Sequence, residues 1–253
     1  MRQDERAPFR DALERARAAA YAPGEYAGQE SFMRAGEIRR LARRAGIGPG
    51  VAVLDVCCGV AGPGRMITAD LGCRYLGVDH SAGALAIARD LAGDLPCRFV
   101  QARVPPLPGG RFDVVLLLET MLAFPDKGAL LDAVAGALRP GGRFAGTVEA
   151  GRPLTRAERA RMPDADTVWP VEPAVLTAAL GAAGLAVTWY EDHTAAQHAT
   201  ATALLRAYRT EAAEIAARIG PRALADLLAA HELWRDWLGR GRVRKFALLA
   251  EKR

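Results

Sequence analysis

One stretch of the sequence decides the fold: Val51-Ala52-Val53-Leu54-Asp55-Val56-Cys57-Cys58-Gly59-Val60-Ala61-Gly62-Pro63-Gly64. It predicts a buried strand that runs into a turn of small residues and then into a helix. In doubly wound α/β proteins, ligands bind at the carboxyl ends of the strands, beside turns of this kind. Small residues allow a ligand to approach the backbone closely, and the amides of the following helix favour a negative group. We therefore expect a ligand site at this turn.

Short apolar runs alternate with helical segments on the carboxyl side of this stretch. The predicted strands are Val51–Val56, Tyr75–Val78, Phe99–Gln101, Phe112–Leu118, Arg143–Glu149, Leu185–Tyr190 and Val243–Ala250. The predicted helices between them are Pro63–Leu71, Ala82–Leu91, Lys127–Leu138 and Pro173–Ala183. Such alternation is typical of parallel strands covered by helices. The expected fold is α/β: a doubly wound, mostly parallel seven-stranded sheet with helices on both faces.

Other segments lie outside the alternation and predict a helical cap. Two helices, Asp11–Ala20 and Glu30–Ala45, precede the first strand, and residues 1–48 are expected to form an N-terminal helical cover. The main domain then spans residues 49–253. It contains two long insertions, 151–171 and 193–241, the second with two helical segments joined at Gly220-Pro221. Long insertions in compact domains are commonly lids or substrate covers.

The composition is that of an ordinary soluble globular protein. The chain has 253 residues, 51% of them hydrophobic and 25% charged, and a formal net charge of +5. No apolar stretch approaches the roughly 20 residues that span a bilayer, and no secretory signal is visible, so the expected location is the cytoplasm. Nucleic-acid binding would be indicated by a basic stripe with interleaved aromatic residues, and the sequence shows no such stripe.

The four cysteines predict free thiols, because their spacing matches neither a zinc site nor a disulfide framework. They are Cys57, Cys58, Cys73 and Cys97. No metal site is expected, since no suitably spaced ligand pair exists. The oligomeric state stays open.

The turn at Gly59 departs from the dinucleotide-binding fingerprint Gly-x-Gly-x-x-Gly, because Ala61 stands where the second glycine is required. It resembles instead the first motif of class I S-adenosylmethionine-dependent methyltransferases, an acidic residue followed by a Gly-x-Gly-x-Gly turn. Asp55 takes the acidic position, and Cys57 and Ala61 replace the two outer glycines. These replacements keep the side chains of the turn small. Cysteine and alanine, however, do not adopt left-handed backbone torsions as easily as glycine does.

Three further segments extend the resemblance over about residues 50 to 150. Tyr75–Ser81 ends the second strand with Asp79, whose carboxylate would hold the donor's ribose hydroxyls. Phe112–Val115 opens the fourth strand, and Leu138–Phe144 resembles the family's turn into the fifth. The resemblance implies S-adenosylmethionine as cofactor and methyl transfer to a small molecule through N, C or O. Many relatives carry an acid after the third strand for the adenine amine, and this chain has none there.

The donor-binding residues follow from this resemblance. Backbone and apolar groups of residues 102–104 are expected to hold adenine, with His80 packing on it, and the polar entry to the second helix is similar to the N-terminal cover of sarcosine/dimethylglycine N-methyltransferases and geranyl diphosphate C-methyltransferases. The full expected set is Tyr26, Gln29, Asp55, Cys57, Cys58, Gly59, Asp79, His80, Ala102, Arg103, Val104 and Leu118.

Two carboxylates are candidates for catalysis, because each ends a strand where the donor methyl should point. Glu119 follows the fourth strand and Glu149 ends the fifth, and either could take a proton or stabilise a cationic acceptor. Five aromatic residues in or near the insertions could line an apolar or cation-accepting pocket, although the helical spacing of two of them also suits a core. They are Trp169, Trp189, Tyr190, Trp234 and Trp237.

Three alternatives to a small-molecule methyltransferase remain open. A nucleic-acid methyltransferase would need a motif such as Asn-Pro-Pro-Tyr after the fourth strand, where this chain has Leu118-Glu119-Thr120-Met121. An NAD(P)-binding oxidoreductase is weakened by the broken glycine pattern. A non-catalytic partner protein that binds S-adenosylmethionine is supported only by the altered outer glycines.

Overall fold

The structure, a computed structural model, describes residues 12–107 and 111–253. The predicted helix start at Asp11 and the first residues of the predicted cover lie outside these ranges. The strands are β1 (Ala52–Val56), β2 (Arg74–Asp79), β3 (Cys97–Gln101), β4 (Phe112–Leu117), β5 (Leu138–Ala150), β6 (Leu185–Asp192) and β7 (Arg244–Lys252). The helices are α1 (Ala12–Ala19), α2 (Ala35–Arg44), α3 (Gly62–Leu71), α4 (Ala82–Ala92), α5 (Lys127–Ala137), α6 (Arg156–Arg161), α7 (Pro173–Ala182), α8 (Thr194–Thr210), α9 (Ala212–Ile219) and α10 (Pro221–Gly239).

The strands form one sheet in the order β3-β2-β1-β4-β5-β7-β6. The pairs from β3 to β5 are parallel, whereas β7 is antiparallel to both β5 and β6. The predicted α/β class and mostly parallel sheet are confirmed. The order reverses between β1 and β4, so the carboxyl ends of these two strands border the crevice where ligands of such sheets bind.

Helices cover both faces because neighbouring strand residues point to opposite sides. On one face, Leu54 and Val115 pack with α5 and α7 in a buried cluster that includes Leu131 and Leu176. On the other face, Val53 belongs to a second buried cluster, which contains residues of α2 and α3. Strands buried on both faces have near-continuous apolar sequences, and this explains why β4 could be recognised directly.

The third apolar cluster unites distant parts of the chain in a helical cap. Ala16 of α1, Leu204 of α8, Ile215 of α9 and Trp234 of α10 are all buried in it, together with Met162 beside α6. The N-terminal helix and both predicted insertions therefore pack against one another.

Two helical predictions need correction. The second helix begins at Ala35 rather than Glu30, because residues 22–34 form irregular chain in which Gly28 has a φ of +78°. The segment predicted as two helices contains three, since α8 ends at Thr210 and α9 begins at Ala212. Glu211 caps both of them without being a proline or glycine, so no breaker marks the junction in the sequence.

Candidate active site

The turn after β1 keeps left-handed backbone at the positions where the family motif has glycine. The φ angles are +60° at Cys57, +54° at Gly59 and +55° at Ala61. Left-handed torsions cost non-glycine residues roughly 1–2 kcal/mol each. The two replacements therefore preserve the shape of the turn at some cost in backbone strain, which is a feature of functional sites.

Asp79 ties the end of β2 to this turn. Its carboxylate is buried and accepts hydrogen bonds from the Gly59 amide at 2.9 Å and from the Ser81 amide at 2.8 Å. His80 lies beside it and is exposed, with Nδ1 at 3.4 Å from Asp79 Oδ1. The predicted neighbourhood of these residues is thus observed, with the carboxylate inside and the imidazole at the rim.

Asp55 is buried beneath the turn and accepts a hydrogen bond from the Tyr75 hydroxyl at 2.6 Å. Burial raises the pKa of Asp55 to about 7; the Tyr75 hydrogen bond opposes this rise, and the charge of Asp79 adds to it. Asp55 therefore changes its charge in the physiological pH range.

A cavity of about 780 Å³ lies over this turn at the carboxyl ends of the strands. It is lined by every residue of the expected donor set except Tyr26: Gln29, Asp55, Cys57, Cys58, Gly59, Asp79, His80, Ala102, Arg103, Val104 and Leu118. Tyr26 packs instead on Tyr21, with ring centroids 5.5 Å apart. The Gln29 amide nitrogen donates to the carbonyls of Glu25 and Met33, so this side chain also fixes the irregular segment before α2.

The cavity has further lining residues that the sequence analysis missed. They include Ser31, Thr120, Ala123, Phe124 and Thr167. Most follow β4 in a short 3₁₀ helix, Met121–Ala123, or belong to the segment between β5 and α7. The signal that could have found them is their place directly after the fourth strand, at the same edge as the motif turn.

The two predicted catalytic carboxylates meet at a residue that the sequence analysis missed. The Lys245 ammonium donates to Glu119 and to Glu149, the latter at 2.7 Å, and all three side chains are almost fully buried. We call these three residues the ion cluster. Glu119 lines the cavity, whereas Glu149 does not.

The ion cluster is held by its surroundings. Burial opposes the charge of Lys245, but the two carboxylates outweigh that effect and raise its pKa. The Lys245 ammonium also lies 5.2 Å from the ring centroid of Phe32 and 5.6 Å from that of Trp234. Glu119 has a φ of +60°, and one carboxylate oxygen, Oε1, is buried without a hydrogen-bond partner in the structure. The available signal was a lysine directly before the apolar run of β7.

The aromatic residues of the insertions do not line this cavity. Trp234 and Trp237 pack edge-to-face at 5.4 Å in the cap, which agrees with the core interpretation of their spacing. Trp169 lies under Arg159, Trp189 lies under Arg44, and Tyr190 stacks on Phe246. Thr167 is the cavity-lining residue that the two insertions contribute.

The thiols and the metal-ligating residue types offer no other chemistry here. Burial raises the pKa of Cys57 to about 12, so this thiol in the turn stays protonated. Across residues 12–107 and 111–253, no group of three or more His, Cys, Asp or Glu side chains could hold a metal ion. None of the helices in the same ranges combines the length and hydrophobicity needed to cross a membrane.

Comparison with known families identifies the domain that carries the cavity. Residues 53–142 match the family model described as a methyltransferase domain. This part of the chain, from β1 into β5, is therefore similar to a methyltransferase domain. A curated relative of the domain is the sterol 24-C-methyltransferase erg6 of Schizosaccharomyces pombe, 35% identical over 112 residues, which are 41% of this chain and 29% of that protein. The chain spans between 29% and 40% of the lengths of the first curated relatives that it matches.

Solved structures share the fold of this chain. The [4+2]-cyclase SpnF superposes with a TM-score of 0.74 at 22% identity, over 98% of this chain and 93% of that one. A putative sarcosine dimethylglycine methyltransferase from Galdieria sulphuraria superposes with a TM-score of 0.77 at 14% identity, over 86% of this chain and 84% of that one. Geranyl diphosphate methyltransferase superposes with a TM-score of 0.68 at 17% identity, over 87% of this chain and 79% of that one. At these identities the likeness shows the fold alone.

Proposed function

We propose that this protein transfers a methyl group from S-adenosylmethionine to a small-molecule acceptor. One observation carries the proposal: a single cavity joins the motif turn, Asp79 and residues 102–104 to Glu119 at the end of β4. It thus combines a donor site with a carboxylate on the acceptor side. Its volume of about 780 Å³ lies within the usual range of roughly 300–1,000 Å³ for ligand sites.

The residues of the cavity fit the donor. A Cβ atom added to Gly59 would meet no heavy atom within 4 Å, so open space lies directly against the backbone of the turn. Asp79 would hold the ribose hydroxyls, and residues 102–104 would pack on adenine. Asp55 and the turn would hold the methionine part. S-adenosylmethionine supplies an electrophilic methyl group on a sulfonium sulfur, and the protein needs to align the acceptor and exclude water.

The acceptor side of the cavity is the part around Glu119, Thr120, Phe124 and Thr167. Its mixture of an apolar ring, hydroxyls and one carboxylate suits a small molecule better than a polymer. The cap, formed by α1, the irregular segment before α2 and the two insertions, acts in this proposal as the cover that excludes water, whereas α2 of the predicted N-terminal cover packs on the sheet. We place the protein in the cytoplasm, a location that its free cysteines support.

Donor binding is tested by calorimetry with S-adenosylhomocysteine and with NADPH. We expect binding of S-adenosylhomocysteine alone, and a loss of about 1.5–3 kcal/mol of binding free energy for each charged hydrogen bond removed in Asp79→Asn. Asp90→Asn, an exposed change on α4, is the matched control. Binding of NADPH instead would favour an oxidoreductase.

Methyl transfer is tested with isotope-labelled donor and a panel of amines, phenols, acids and prenyl diphosphates. We expect labelled product from one of these classes, and Glu119→Gln should lower kcat much more than it lowers donor affinity. The resemblance to a cyclase makes this step decisive, because the same fold serves other chemistry. Donor binding without transfer to any class would favour the non-catalytic alternative.

A further inference from the structure

A second, smaller cavity lies inside the cap, behind the donor site. Its volume is about 60 Å³, and we call it the inner chamber. It is lined by Arg17, Tyr21, Gln29, Glu30, Ser31, Phe32, Leu204, Tyr208, Leu227 and His231. Gln29, Glu30 and Ser31 also line the large cavity, so one stretch of chain separates the two spaces. We call residues 29–32 the wall.

Side chains, and not regular secondary structure, hold the wall in place. The Tyr21 hydroxyl donates to the Ser31 carbonyl, and Arg17 pairs with Glu30 at 2.5 Å. The Phe32 amide lies 3.5 Å from the Glu119 carboxylate of the ion cluster. Because the wall belongs to neither α1 nor α2, it can move without unfolding a helix. In the structure the wall separates the inner chamber from the large cavity.

His231 is a group in the inner chamber that can accept a proton, whereas the Glu30 carboxylate there is already paired with Arg17. Its Nδ1 lies 2.8 Å from the Leu227 carbonyl oxygen, which can only accept a hydrogen bond. Nδ1 therefore carries the proton of the neutral ring, and Nε2 is left with a lone pair. Burial lowers the pKa of His231, and the nearby charge of Arg17 lowers it further, while the Leu227 hydrogen bond opposes both effects.

The other groups around His231 fix the orientation of its ring and form its local environment. The ring makes edge contacts with Phe32 at 5.7 Å and with Tyr208 at 4.9 Å. Two leucines, on α8 and α10, add apolar surface, while the charged and titratable groups that share the chamber are Arg17, Glu30, Tyr21 and Tyr208. Burial raises the pKa of both tyrosines, so they remain neutral.

We propose that the wall moves aside so that the inner chamber joins the acceptor side of the large cavity, and that His231 Nε2 then takes the proton of an acceptor hydroxyl carried on an aromatic or other apolar body. The inference rests on the proposed methyl transfer. As the acceptor O–H bond breaks, its proton passes to Nε2 and its oxygen lone pair forms the new O–CH₃ bond. The S–CH₃ bond breaks with its electron pair remaining on sulfur, and the imidazolium later releases the proton to solvent.

Phenol and anisole can distinguish proton transfer to His231 from simple packing of an aromatic ring. Phenol carries the hydroxyl proton that His231 would accept, and anisole has a methyl group in its place. The imidazole signals of the four histidines are followed by NMR in the presence of S-adenosylhomocysteine, with His231 assigned through His231→Gln. We expect phenol to shift the His231 signal saturably, and anisole to bind about tenfold more weakly for the loss of one hydrogen bond. The His198 signal should not move.

Turnover gives the second measurement. With a hydroxyl acceptor found in the transfer panel, His231→Ala should lower kcat by about 10²–10⁴ and added imidazole should restore part of it. His198→Gln, on α8 and outside the lining of both cavities, is the matched control. Thermal unfolding of each variant reports its folding, and His231→Gln replaces His231→Ala if the alanine variant unfolds.

The outcomes distinguish the two proposals. If S-adenosylhomocysteine does not bind, the proposed function fails. If it binds normally while phenol leaves the His231 signal unchanged, the inner chamber is not an acceptor site, and methyl transfer itself is unaffected. Full activity of His231→Gln on a hydroxyl acceptor would likewise overturn the role of this residue.

Discussion

Gly59 and Gly93 both have a positive φ in different surroundings, so they form a pair for a prediction. Their φ angles are +54° and +52°, and an added Cβ at either position would meet nothing within 4 Å. Gly59 lines the large cavity, whereas Gly93 follows α4 outside it. Gly59→Val and Gly93→Val should each lower the unfolding free energy by about 1–3 kcal/mol, because a branched side chain at a positive φ is strained.

Binding should separate the two variants. Gly59→Val places a branched side chain in the donor space, so we expect calorimetry to detect no binding of S-adenosylhomocysteine. Gly93→Val should bind it like the parent. Equal affinities in the two variants would show that the turn after β1 is not the donor site.

Asp55 predicts a pH dependence of donor binding. Its folded pKa of about 7 lies above the usual value, so the stability it contributes is present at low pH and lost as pH rises from about 4 through 7. Ionised Asp55 is a buried charge without an ammonium partner, and the donor's amino group can supply one. The affinity for S-adenosylhomocysteine should therefore increase as pH rises through about 7.

Calorimetry between pH 5.5 and 8.5 tests this dependence. The measurement is best made in a His80→Gln background, because this variant removes the imidazole that lies beside Asp79. Asp55→Asn in that background should abolish the dependence of S-adenosylhomocysteine affinity on pH. An affinity that is independent of pH in the parent would contradict a role for Asp55 in holding the donor's cationic group.

At the scale of elements, Lys245 connects three strand ends, because it starts in β7 and reaches Glu119 after β4 and Glu149 in β5. Lys245→Met leaves two buried carboxylates without their ammonium partner, and such a loss costs about 3–5 kcal/mol of unfolding free energy. The neighbouring Arg244 makes an exposed ion pair with Asp192. Arg244→Met should cost no more than about 1 kcal/mol.

Chemical denaturation of the two variants measures this difference. The raised pKa of Lys245 also implies that its stabilisation is present below the ordinary lysine pKa of about 10.4 and is lost as pH rises above it. The parent should therefore lose stability at alkaline pH by more than Lys245→Met does. Similar costs for the two substitutions at pH 7 would mean that the ion cluster does not cross-link the strands.

The sheet was predictable from the sequence because buried parallel strands need apolar residues at every position. The predicted run Val51–Val56 corresponds to β1, and the run Phe112–Leu118 corresponds to β4. The antiparallel direction of β7 has no such local signal, because it depends on how the chain returns after α10. The sequence analysis also placed the start of α2 too early. The first turn that it predicted lies in the wall, which side chains hold in an irregular conformation.

The grouping of the predicted residues around one cavity could be anticipated for a related reason. Gly59 and Asp79 are neighbours through the order of the strands, which a spacing pattern along the chain encodes. The pairing of Glu119 and Glu149 through Lys245 joins positions 96 to 126 residues apart and has no pattern in sequence. The same holds for the inner chamber, where α1, the wall and α10 meet only in three dimensions.

At the scale of the whole molecule, the cap has an apolar cluster of its own, separate from the clusters on the two faces of the sheet. Ala16 is buried in the cap cluster on α1, whereas Ala18 on the same helix is exposed. Ala16→Asp should destabilise the cap, because an unpaired carboxylate in an apolar environment is costly. Ala18→Asp should have little effect, within about 0.5 kcal/mol.

Amide hydrogen exchange can locate the damage. In Ala16→Asp we expect protection to fall in α1, α8 and α10, while β1 and β4 keep the protection of the parent, because local openings follow cooperative units. Donor affinity should fall less than turnover, since the cap covers the acceptor side. Uniform loss of protection across the sheet would instead make the cap and the sheet one cooperative unit.

The position of β7 in the sheet has a consequence for biosynthesis. A ribosome makes β7 after the other six strands, yet this strand lies between β5 and β6. Until it emerges, the backbone edge of β5 is unpaired and β6 has no partner on the inner side, which exposes the nascent chain to wrong pairing. The same strand delivers the only ammonium group that neutralises Glu119 and Glu149 in the described ion cluster. Completion of the sheet and completion of the active site are therefore one late event in the life of the newly made chain.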